Sequence, residues 1–300
     1  MKLRLGKLQL ITLMLVLNLV ALLGMAPCSS LAETDDEDCQ LSVIFKEPTQ
    51  KLPPGLMDKL KETTKAADGF NKLFKLKRPV KVLFLSMDSQ YGIHCDLQTG
   101  KIYIPYDDLL ISYNNLCTME DKLSKSVKKE IAQTVGQSAN VSMMHEMAHL
   151  LINDYDLAVP GNEEDACDNM AAYLLAYCLD DGGTNEHCAE LLRSWFDIFL
   201  ASAVVEQGDM GSLEELVNSK ESFSQFVSNQ HTYDLKRAYN AYLASLTVMF
   251  MNLDSDEIET LLNELSQDDT LVNPEDDYEG IVANLRSFAA WDKLCQEFAR

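Results

Sequence analysis

From Met143 to Ile152 the chain reads Met-Met-His-Glu-Met-Ala-His-Leu-Leu-Ile, apolar at every position except two histidines and one glutamate. A helix of that composition is apolar on nearly every side and has to be buried. Burying an ionised glutamate and two imidazoles without partners costs several kcal/mol, so the fold must compensate them, and a divalent cation does so. His145 and His149 lie four apart, which on an α-helix sets both imidazoles on one face, one turn apart, able to take two corners of a zinc tetrahedron. Glu146 points about 100° around the helix from His145. From there it can act as general base toward a water activated by the metal without occupying the metal itself. The competing reading is a pair of core histidines satisfied by backbone carbonyls.

A catalytic zinc site needs a third protein ligand and an open position. A third histidine six residues after the second, with glycine midway, is excluded, because Tyr155 and Ile152 hold those places. Further on, Gly161-Asn-Glu-Glu-Asp-Ala-Cys-Asp168-Asn-Met-Ala171 opens another helix after a turn able to fold the chain back. Glu164 and Asp168 share a face of it. Glu164 reads as the third ligand, and Asp168 as the carboxylate that accepts a ring N–H from a ligand histidine and fixes its tautomer. Glu163 is the rival ligand. Acidic residues also gather in a first helical turn to complement the helix dipole, which suffices for Glu163 and Asp165. Asp168 lies deeper, ahead of Met170, Ala171 and Leu174, and needs a partner.

His94 and His187 sit in polar surroundings without metal-like spacing. His231 opens a helix reading His231-Thr-Tyr-Asp234-Leu-Lys-Arg237-Ala-Tyr239-Asn240, where Asp234, Arg237 and Asn240 recur at helical spacing. Such a cluster is commonly a cap with ion pairs. The alternative is a donor for the negative charge that builds on an attacked carbonyl oxygen.

The N-terminus carries Lys2, Arg4 and Lys7, an apolar stretch from about Leu8 to Met25, and Ser30-Leu31-Ala32 before the acidic segment at Glu33. That is the order of a secretory signal peptide, residues 1–32, with cleavage expected after Ala32. Cys28 raises a lipoprotein reading, although Pro27 stands where a small residue is wanted. The expected location is periplasmic or secreted, with no stable membrane insertion after cleavage. Losing three basic and no acidic residues moves the formal charge from −22 to −25. A surface so acidic repels phosphate backbones and anionic lipid, which excludes nucleic acid as a partner. Seven cysteines remain; in an oxidising compartment some are expected to pair, with Cys178 and Cys188 as a guess.

Residues 33–300 read as one α+β domain, a small mixed part with a sheet (about 39–115) followed by a mainly helical part (about 116–300). Strands are expected at Leu41–Phe45, Val80–Leu85 and Ile102–Tyr106, the last at a sheet edge because of Pro105. A helix is expected over about 54–74, and further helices over roughly 119–135, 138–154, 163–178, 186–207, 212–228, 232–251, 255–266 and 275–299.

Between Ser142 and Asn240 the three motifs and their order resemble the metallopeptidase family catalogued as domain of unknown function 4344, found mostly in exported bacterial proteins. The shared pattern is His145-Glu-Met-Ala-His149, then Gly161-Asn-Glu163-Glu164-Asp165-Ala-Cys-Asp168-Asn-Met-Ala171, then His231-Thr-Tyr-Asp234-Leu-Lys-Arg237-Ala-Tyr239-Asn240. Lys236 stands where the family usually has Gln, and Cys95 with Ile102–Tyr106 only partly fits its strand region. The resemblance implies a zinc peptidase whose third ligand is a glutamate, with one zinc per chain, and turns His231 and Arg237 into walls of the active site. The expected reaction is hydrolysis of a peptide or protein substrate, with Glu146 as base and His231, with Tyr239 or Arg237, donating to the oxyanion; Asp234 stands behind them. The strand near Ile102–Tyr106 is expected to pair with an extended substrate. Two rivals remain: a non-catalytic, metal-stabilised envelope binding or assembly protein, and a zinc hydrolase of a non-peptide amide or ester. The intact Glu146 speaks against the first.

Overall fold

Short β-branched runs build the sheet. In the computed structural model, which describes residues 40–87, 92–119, 131–159, 161–178, 185–207, 233–268 and 274–296, β1 (Leu41–Phe45) pairs in parallel with β2 (Val80–Leu85). β2 pairs in parallel with β4 (Lys101–Pro105), and β3 (His94–Asp96) pairs antiparallel with β4. The order is β1-β2-β4-β3. Val80, Val82 and Phe84 are buried while Lys81 is exposed, the alternation expected of a pleated strand. Helices α1 (Leu56–Leu60) and α2 (Thr63–Leu73) connect β1 to β2. The Asn71 side chain on α2 pairs with both backbone groups of Leu41 at 2.8 Å and so fixes the start of β1.

The position of β4 corrects the edge expectation. It lies inside the sheet, and the outermost strand is β3, three residues too short to show a period. Pro105 is tolerated because β3 pairs only with Lys101 to Tyr103, so its missing N–H lies beyond that ladder.

After β4 the described residues are mainly helical: α3 (Tyr106–Met119), α4 (Ile131–Tyr155), α5 (Glu163–Cys178), α6 (Asn185–Gln207), α7 (Tyr233–Phe250), α8 (Ser255–Asp268) and α9 (Pro274–Cys295). Tyr106, expected to finish the strand, starts α3, with Asp107 and Asp108 in its first turn. The expected break near residue 136 is also absent, since α4 runs straight through Gly136. A Cβ there would stand 2.5 Å from the Lys59 Cβ, so glycine lets α1 cross α4 closely. The expected helix over 212–228 and the signal peptide lie outside the described residues.

α4 is the central element, packed against α1, α3, α5, α6, β3 and β4. Arg78 at the start of β2 grips Asp154 at the end of α4 with two N–H groups, each 2.8 Å from a carboxylate oxygen. α7 packs along α6, and α9 lies across α5 and α7. One hydrophobic core runs from Leu41 to Cys295. The six described cysteines are free thiols, Cys178 and Cys188 among them. No helix among the described residues is long and apolar enough to cross a membrane.

Candidate metal centre

The four-residue spacing on α4 brings the rings of His145 and His149 to 4.9 Å between centroids, with planes at 81°. Their Nε2 atoms face one another at 3.2 Å. α5 supplies the carboxylates. Its start is set by Gly161, whose φ of 87° is a conformation L side chains rarely adopt, and by Asn162, whose side-chain oxygen accepts the Glu164 N–H at 3.3 Å. Docked on α4, the first turns of α5 meet the two histidines.

Glu164 reaches both rings. Its Oε2 lies 3.2 Å from His145 Nε2 and its Oε1 3.4 Å from His149 Nε2. A tetrahedral zinc with bonds of about 2.0–2.1 Å requires ligand atoms roughly 3.3–3.4 Å apart. The Nε2–Nε2 separation of 3.2 Å is close to that spacing, the two oxygens of Glu164 each approach one of the rings, and His145, His149 and Glu164 form a group able to hold a metal ion. Electrostatics agree. Burial would lower the pKa of His145, but its hydrogen bonds to Asp168 and Glu164 raise it to about 9. The same hydrogen bond, with the nearby imidazoles, pulls Glu164 down to about 2. The point where the three donors converge calls for positive charge.

Behind His145, Asp168 Oδ1 lies 2.8 Å from Nδ1, the position expected of a carboxylate that orients a ligand ring. Arg237 holds that carboxylate in turn, donating from Nε at 3.1 Å and from Nη2 at 2.6 Å. Burial raises Asp168, yet His145 and Arg237 keep it below the usual carboxylate range. The guanidinium lies over Phe199 and Trp195, with its carbon 4.4 and 5.0 Å from the ring centroids. Arg237 thus meets the cluster from the Nδ1 side of His145, not from the side of the ligand atoms.

At His149 the corresponding acceptor is Glu163, whose Oε1 lies 2.7 Å from Nδ1. Glu163 therefore faces the ring nitrogen turned away from the three-donor point, while Glu164 faces the point itself. Glu146 is buried at 8 % exposure. Burial raises its carboxyl, and the two histidines and the Cys95 thiol of β3 oppose that shift.

His231 lies outside the described residues, as does the side chain of Asp234, although Asp234 belongs to α7. The Tyr239 hydroxyl donates to Asp277 Oδ1 on α9 at 3.5 Å. His94 donates from Nδ1 to the Gly92 carbonyl at 2.9 Å. Trp195, Phe199, Cys95 and Cys167 escaped the sequence reading. For Cys167 a signal existed: it follows Glu163 by four residues, as Asp168 follows Glu164.

Residues 46–248 match the family of domain of unknown function 4344, described as a putative metallopeptidase. No curated protein and no solved structure matches the chain.

Proposed function

The chain belongs to this metallopeptidase family, and from that premise we propose that it is an exported zinc-dependent hydrolase that cleaves peptide bonds. The observation that carries the reading is the convergence of His145 Nε2, His149 Nε2 and the Glu164 carboxylate into a group able to hold a metal ion beside the buried Glu146. Bound by these three residues, zinc supplies a Lewis acid for the carbonyl under attack and makes water a nucleophile near neutral pH. Glu146 takes the proton of the attacking water and returns it to the leaving amine. Asp168 keeps a proton on His145 Nδ1, which leaves the Nε2 lone pair facing the site. Arg237 positions Asp168. The oxyanion donor is assigned to His231 on its sequence pattern, and the N-terminal 32 residues are assigned to export on theirs.

An extended substrate has an edge to pair with. Among the described residues β3 is an edge strand, and its Cys95 lies near enough to Glu146 to act on its carboxyl, so a peptide laid along β3 would pass near the base.

The test is paired. Metal content and hydrolysis of a mixed peptide library are measured for the wild type and for Glu146→Gln. Both should retain about one zinc per chain, and only the wild type should turn over. Freshly purified protein without zinc, or equal turnover by the variant, would sink the reading. Zinc retained without turnover of any substrate class favours a metal-stabilised binding protein.

A further inference from the structure

His149 meets an acidic residue at both ring nitrogens. Nε2 faces Glu164, and Nδ1 lies 2.7 Å from Glu163. Cys167, one turn beyond Glu163 on the same face of α5, joins them: His149, Glu163 and Cys167 place one donor atom each within 4.8 Å of one another. The equivalent position behind His145 is already neutralised, because Arg237 covers Asp168. Among the described residues no arginine or lysine pairs with Glu163, while Lys236 is engaged by Asp165 at 2.7 Å. Among the described residues, the carboxylates of Glu146, Glu163, Glu164 and Asp168 thus stand around Cys167, and the Arg237 guanidinium pairs with Asp168. One divalent ion leaves that cluster negative.

We propose that His149, Glu163 and Cys167 form a second, weaker divalent-metal site that shares the His149 ring with the first. It rests on the reading above that His149 Nε2 serves the first site. One imidazole nitrogen, one carboxylate and one thiolate is a donor set for zinc or cobalt(II), and the thiolate disfavours magnesium and calcium. Binding releases the Cys167 thiol proton and the His149 Nδ1 proton to solvent. The site shares a ring with the first and lies next to the charge bound there, so it fills only at excess metal. Filling it takes Glu163 from its hydrogen bond to His149 and turns the ring into a bridge, so excess metal lowers turnover.

Cobalt(II) titrated into the metal-free full chain separates the two sites, because a cysteine ligand adds an intense near-ultraviolet sulfur-to-cobalt absorption that histidine and carboxylate ligands lack. The first equivalent should bind without this band and the second should bring it in. Cys167→Ser should lose the band and the second equivalent while keeping the first. Cys117→Ser, at an exposed thiol, should keep both. Glu163→Gln, which retains the cysteine and alters a half-exposed position, should weaken the second equivalent at least tenfold, in line with loss of a charged ligand. Saturation at one equivalent in the wild type, or a band that survives Cys167→Ser, overturns the proposal and leaves the proposed function standing. Failure of the first equivalent to bind overturns both.

Discussion

The two histidines of α4 share a helix face and meet the same Glu164, yet their outer nitrogens face different environments. The His145 side chain is 5 % exposed, and its Nδ1 meets Asp168, also 5 % exposed, which Arg237 grips in turn. The His149 side chain is 14 % exposed, and its Nδ1 meets Glu163, whose side chain is 54 % exposed. Imidazole, carboxylate and guanidinium form a desolvated, charge-matched chain on one side, where losing any member strands the next. On the other side water screens the pair. The buried side holds the geometry of the centre, and the open side can adjust.

The largest effect is expected from breaking the buried side. Asp168→Ala removes both Arg237 hydrogen bonds to this buried carboxylate and leaves the His145 Nδ1–H without its acceptor. Stability measured by chemical denaturation should fall by about 3–5 kcal/mol. Metal affinity should fall by roughly 10–100-fold. A loss under about 1 kcal/mol would put this pair in the class of exposed ones and erase the contrast.

Metal removal comes next. An ion present at about 100 times its Kd stabilises the folded chain by about 2.7 kcal/mol. A chelator should lower the melting temperature of the wild type, and Glu164→Gln should show a much smaller drop. An equal drop in the variant would place the ion elsewhere.

In the metal-free chain, pH probes the same side. The folded-state pKa of His145 is about 9, above its ordinary 6.5, so the protonated ring stabilises the fold. That contribution is fully present below about 6.5 and is lost as pH rises through about 9. The melting temperature should decline across this window. The decline should shrink in Asp168→Asn, where Glu164 alone still holds the ring, and a flat profile in the wild type would contradict the charge pairing drawn for the buried side.

The smallest effect belongs to the open side. Glu163→Gln should change stability by no more than about 1 kcal/mol. Its first metal equivalent should weaken by less than the roughly tenfold lower bound expected for a buried partner. If Glu163→Gln matched Asp168→Ala, exposure would not be what distinguishes the two histidines.

Much of the centre was legible in the chain because helical spacing is a local rule. His145 and His149 four apart, and Glu164 and Asp168 four apart, share faces whatever the tertiary fold. Asp168 also announced its need for a partner, since a carboxylate that deep in an apolar helix cannot stand alone. Strands β1 and β2 were legible for the same reason, through a local alternation. β3 was not, because His-Cys-Asp is too short to show a period. The helix α3 was missed because no turn residue separates it from β4, so Tyr106 continued the strand pattern. At Gly136 a residue that often breaks helices serves a packing need set by Lys59, a residue distant in sequence.

By itself the sequence determined the α+β class, the buried metal-type helix and the pool of carboxylates on the next one. The tertiary structure decided which carboxylate meets which ring nitrogen. Glu163 and Glu164 are neighbours in the same first turn, about 100° apart around the helix, and no local rule ranks them. The docking of α5 on α4 turns Glu164 toward both Nε2 atoms and Glu163 toward the outer nitrogen of His149. The same packing puts Arg237 on Asp168 from sixty-nine residues away. Periodicity acts within one element, whereas a coordination sphere depends on how two elements pack, and that is settled by the core between them.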